Sequence, residues 1–188
     1  MDFYIRSILL GVGLAMDACA VSMADGLKEP KMQVWKVIVI ASLFGIFQAA
    51  MPLIGYFVGH AFLFYIEKFI PWIALILLSF IGGKMLIEGI KNKEEEEVNN
   101  NLGIKVLLVQ AIATSIDALS VGFTIADYTI IEAFLCTGIV CLVTTVICIA
   151  AVYIGKKFGT KLGNKAVILG GIVLIVIGVE IFISGMFF

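Results

Sequence analysis

Six long apolar runs, at residues 3 to 24, 36 to 59, 69 to 90, 104 to 126, 131 to 155 and 166 to 187, restrict this chain more than anything else in its sequence. A helix of about 20 residues, rising about 1.5 Å each, crosses a hydrocarbon core of roughly 30 Å. Inside lipid every backbone N–H and C=O needs a partner within the protein, so only helices or closed barrels can span it. Barrel strands would be shorter and would alternate apolar with polar, which these runs do not. The expected fold is therefore an all-α, polytopic membrane protein with six transmembrane helices and the lipid bilayer as its surroundings. Asp17 lies midway along the first run and no A-x-A pattern follows it, so that run reads as a span rather than a cleaved signal peptide. Composition agrees: 62% apolar and 14% charged residues are more than a soluble globule can hide. Thirteen Lys and Arg against 14 Asp and Glu leave no basic stripe for nucleic acid. Cys19, Cys136, Cys141 and Cys148 all sit in apolar runs without a CxxC pair and read as small buried hydrophobes. With His60 as its one histidine, the chain has no site that needs two imidazoles.

Cytoplasmic connections carry the Lys and Arg excess. Eleven of the 13 positive residues flank the first, third and fifth connections: Lys28, Lys31 and Lys36; Lys84, Lys91, Lys93 and Lys105; Lys156, Lys157, Lys161 and Lys165. Arg6 and Lys68 fall on the other side, so both termini are expected to be extracytoplasmic. Residues 91–103 form a polar cytoplasmic linker whose Glu94 to Glu97 run reads as a solvated segment.

The linker separates two related units. Residues 16–22 (MDACAVS) resemble 116–122 (IDALSVG) at an offset of 100, Ile54-Gly55 matches Ile154-Gly155, and Gly59 matches Gly159. At an offset of 96, IGGKMLIEG (81–89) matches IGVEIFISG (177–185). These landmarks, one per helix, make 1–90 and 104–188 two three-helix repeats. An odd number of crossings obliges the second repeat to enter from the opposite face, giving an inverted repeat with its site at the midplane, as in many secondary transporters. The paired glycines at 55, 59, 155 and 159 read as close helix packing.

Within the runs, polar atoms concentrate around two acids. Asp17 is the one charge between Arg6 and Asp25, and Asp117 the one between Lys105 and Asp127. A carboxylate at the bilayer centre costs about 2.5–3.5 kcal/mol on insertion scales, and so marks function by default. Gln110, Thr114, Asp117 and Thr124 share one helical face with Ser120 close to it, while Gly13, Ala20 and Ala24 leave space beside Asp17. Pro52 frees the carbonyl of Gln48, so that residue offers either two oxygen ligands or an interhelical hydrogen bond at a kink. The candidate metal ligands are thus Asp17, Asp117, Gln48, Thr114, Gln110 and Ser120, an oxygen set suited to a hard divalent cation. Met16, Met23 or Met51 would tilt selectivity toward a transition metal if one joined in, although methionines in apolar helices usually pack. Lys84 and Glu180, at equivalent repeat positions, are read either as a structural pair or as a charge relay during proton exchange. No resident cofactor is called for.

The phrases GLAMDACAVSMADGL, FGIFQAAMPLIGYFVG, PWIALILLSFIGGKMLIEG, AIATSIDALSVGF and ILGGIVLIVIGVEI resemble those of the MntP-type manganese efflux pumps, bacterial inner-membrane exporters grouped with the LysE-type superfamily. The resemblance covers nearly the whole chain. It implies a secondary exporter, not an enzyme, that carries Mn²⁺ out of the cytoplasm, with Asp17 and Asp117 in the family's intramembrane acidic positions. Gln48 stands where members can carry a Glu, which removes a third acid. Export of another cation is one alternative. An intramembrane aspartyl protease is another, since it too needs two embedded aspartates, but its GxGD signature is absent.

Overall fold

A computed structural model describes residues 2–58, 70–91, 103–125, 127–162 and 164–187. Gly59, His60, Lys68, Lys93 and the Glu94 to Glu97 run lie outside the described residues. The described residues form seven helices: α1 Asp2–Lys28, α2 Val34–Val58, α3 Ile70–Lys91, α4 Ile104–Ser115, α5 Ala118–Thr124, α6 Ile130–Leu162 and α7 Asn164–Phe187. Among the described residues three stretches are long and apolar enough to cross a membrane, Phe3–Lys28, Val34–Val58 and Ile130–Thr160. Shorter apolar stretches lie at Leu78–Ile87, Ile104–Ser115 and Ile168–Glu180. Trp35, Phe80, Ile131 and Leu142 are among many large apolar side chains that face outward, the surface a bilayer solvates.

The fourth apolar run departs from its expected form. Rather than one helix over 104–126, it is two, interrupted at Ile116 and Asp117. Local hydrogen bonds that compete with the helix gather at this point. Thr114 donates its hydroxyl to Gln110 O at 2.9 Å, and Ser115 donates to Ala111 O at 2.7 Å. Beyond them the backbone tightens to three-residue turns, with Leu119 N donating to Ile116 O at 3.1 Å and Ser120 N to Asp117 O at 3.0 Å. Hydroxyls bonded back to their own helix weaken the ladder there. Asp117 then accepts backbone N–H groups at the start of α5, the role acidic residues favour before a helix. The equivalent segment of α1 runs unbroken through Asp17.

Packing crosses the linker. The largest interfaces, α1 with α6, α3 with α7 and α2 with α6 and α5, each join a helix before residue 91 to one after 103. Contact between α1 and α2, or α6 and α7, is slight. Glycines allow the closest approaches. A Cβ on Gly155 would strike Met23 O and stand 3.0 Å from Gly26 Cα; one on Gly55 would strike Leu119 O and stand 3.1 Å from Gly122 Cα. Where α2 crosses α6, Gly45 lies against Thr145, a pair one hundred residues apart. At one end of the bundle Lys156 Nζ donates to Met32 O at 2.6 Å, and Lys36 pairs with Glu29 at 2.6 Å. At the other end Tyr56 donates its hydroxyl to Tyr128 O at 2.8 Å.

Candidate functional site

The two aspartates arrive by different routes. Asp17 is half-buried on the continuous α1, whereas Asp117 is accessible at the break between α4 and α5. The charge of Asp17 reaches Asp117, and that of Glu180 on α7 reaches Asp17. Of the expected relay pair, Glu180 thus joins the acids electrostatically; both it and Lys84 of α3 are exposed.

Gln48 is fully buried on α2 and spans the space between the acid-bearing helices. Its Nε2 donates to Leu14 O of α1 at 2.8 Å and to Thr114 O of α4 at 3.0 Å. Leu14 and Thr114 each lie three residues before an aspartate, and they are one hundred residues apart, the offset that aligns the halves. Both amide hydrogens are used in this way, which leaves Oε1 buried with no hydrogen-bond partner among the described residues. The interhelical hydrogen bond is therefore present, and an acceptor oxygen remains beside it.

Thr114 is buried, and its hydroxyl hydrogen is committed to its own helix; Ser120 is exposed just beyond Asp117. Gln110 goes elsewhere than the spacing suggested. Its Nε2 donates to Asp25 Oδ1 at 2.9 Å, two turns along α4 from Asp117. Asp25 is the polar residue that the sequence reading passed over, because its proximity to Lys28 resembles the end of a span. Its signal was α1 itself, whose helix continues to Lys28 and so carries Asp25 inside. Among the described residues no three His, Cys, Asp or Glu side chains gather as a metal site. A cation at the aspartate pair would complete its shell with neutral oxygens or water, as hard divalent ions commonly do.

The family model described as "Mntp: Putative manganese efflux pump" matches residues 31–182. The chain belongs to the MntP family. The similarity to individual MntP proteins extends over the whole length. A protein of Ruminiclostridium cellulolyticum is 45% identical over 182 residues, 96% of each chain. One of Campylobacter jejuni is 45% identical over 188 residues, all of both chains. One of Clostridium perfringens is 43% identical over 200 residues, covering 94% of this chain and 92% of its own. Each of the three is named as an efflux pump for manganese. MntP is thus a transporter family and not an enzyme family, which removes the protease alternative. No solved structure matches the chain.

Proposed function

We propose that this protein exports Mn²⁺ from the bacterial cytoplasm, holding the ion between Asp17 and Asp117 at the membrane midplane and exposing it to each side in turn. The observation that carries this reading is the grip of Gln48 on Leu14 O and Thr114 O, the carbonyls three residues before each aspartate. Equivalent positions of two halves meet one another where a two-fold axis passes. Gly45 against Thr145 in the α2 and α6 crossing is a second such meeting. Both support an inverted pair of three-helix repeats with the aspartates astride the axis. The names of the relatives supply the ion, and two carboxylates match a divalent charge.

Two carboxylates so placed repel each other, so an incoming divalent ion displaces whatever protons they hold, and protons arriving from outside displace the ion. That cycle needs no nucleotide. In this reading both termini face outward, and the linker and the end marked by Lys36, Lys156 and Met32 face the cytoplasm.

The test is Mn²⁺ export in reconstituted vesicles. Asp17→Asn and Asp117→Asn keep size and one oxygen while removing a charge, and each should abolish export at matched membrane abundance. A change of Glu94 to Glu97 to Gln serves as control. Wild-type export by either Asn variant would overturn the reading.

A further inference from the structure

The aspartate pair leaves one group of buried polar atoms unused. Asp25 is 0% exposed, and while Gln110 supplies one oxygen with a hydrogen bond, Asp25 Oδ2 has no partner among the described residues. Gln110 Oε1, on the same amide and hence next to the carboxylate, has none either. Ser22 stands three residues before Asp25 on the same face of α1, with its Oγ buried. The Cys148 thiol of α6 lies beside Ser22. Three oxygens that can accept, gathered around a fully buried carboxyl, form an arrangement that a cation completes.

The same two helices carry this group and the aspartate pair. Asp25 is eight residues beyond Asp17 on α1, and Gln110 seven before Asp117 on α4. Because the helices run in opposite directions, Asp25 with Gln110 makes a second rung of one ladder. At about 1.5 Å per residue the rungs stand roughly 10–12 Å apart along the membrane normal. With the termini outward, the second rung is the cytoplasmic one.

We propose that Asp25, Gln110 and Ser22 form a second divalent-cation station, entered from the cytoplasm before the ion reaches Asp17 and Asp117. This rests on the transport reading above. One carboxylate with an amide and a hydroxyl oxygen is a hard but lightly charged donor set, so the ion keeps part of its water shell. Lys28, Lys36 and Glu29 lie within charge range, Lys36 being held by Glu29 at 2.6 Å. Their mixed signs neither trap a cation nor repel it strongly. Weak holding suits a relay, since an ion that binds too tightly does not move on.

The experiment titrates Mn²⁺ alone into purified full-length protein and counts bound ions from the loss of the free-ion paramagnetic resonance signal. Wild type should bind two ions per chain. Asp25→Asn should bind one, with export surviving but needing about tenfold more cytoplasmic Mn²⁺, the effect of losing one charged contact. Asp17→Asn should also bind one ion, held by the cytoplasmic station, and export nothing. Gln110→Leu, which keeps the carboxylate, should weaken the same site that Asp25→Asn removes. Two ions at wild-type affinity in Asp25→Asn would overturn the station, as would a single ion in wild type that Asp17→Asn alone removes. Loss of both ions in both Asp25→Asn and Gln110→Leu would overturn it as a separate site. Failure of the transport reading looks different: Asp17→Asn would then export Mn²⁺, whatever the ion counts.

Discussion

At the scale of single residues, Gln48 is the side chain whose alternatives the structure narrows most. The sequence offers either oxygen ligands beside a proline or an interhelical hydrogen bond; in the fold its two amide hydrogens tie α1 to α4 just ahead of the two aspartates. Gln48→Leu keeps the volume and removes both hydrogen bonds between the helices. Each lost bond costs about 0.5–1.5 kcal/mol, with more where the stranded acceptor stays buried, so the variant should unfold about 1–3 kcal/mol more easily and export poorly. Thermal unfolding in detergent measures the first, and vesicle Mn²⁺ export the second. Asp17 and Asp117 were legible because charge inside an apolar run is conspicuous. Asp25 was not, because a carboxylate near three lysines reads as interfacial, and only the continuation of α1 to Lys28 shows it buried.

At the scale of elements, hydropathy marked where apolar segments lie but could not register the interruption at Ile116 and Asp117, since the residues on both sides remain apolar. The signal was chemical: Thr114 and Ser115 just before an aspartate, three side chains that compete for backbone partners. Glycine positions were legible as packing sites, and the structure sorts them. A Cβ on Gly155 would collide with the backbone of α1, while one on Gly13 meets nothing within 4 Å among the described residues. Gly155→Ala should therefore cost about 1–3 kcal/mol or more, because backbone cannot yield as a flexible side chain can. Gly13→Ala should leave the unfolding temperature unchanged. Equal thermal stability of the two variants would contradict this account of the α1 and α6 seam.

At the scale of the whole molecule, the two glycine seams are out of step. Gly155 rests on Met23 O, so by the offset of 100 its counterpart Gly55 would rest on residue 123; instead it rests on Leu119 O, four residues earlier. Four residues are about one helical turn, roughly 5–6 Å. Under the proposed transport function, one sequence pattern packed in two registers suits alternation, because exchanging the registers would open the opposite side. Spin labels at exposed Ile8 on α1 and Leu142 on α6, in a background without the four native cysteines, should change separation by several ångström, up to about 5–6 Å, when Mn²⁺ is added. An unchanged distance across the full range of Mn²⁺ would exclude sliding at this seam.

The predominance of interfaces that cross the linker also governs how the protein is made. When the linker leaves the ribosome, α1, α2 and α3 have emerged without the surfaces they pack against, since their main neighbours are α5, α6 and α7. Until those arrive, the first half waits in the bilayer as loosely associated helices, each stable in lipid through its own backbone bonds. Its buried Asp25 and Gln48 have no partners from α4 during that interval. Assembly is therefore late and all at once, and the interval before translation ends is when quality-control proteases have their best access to the chain.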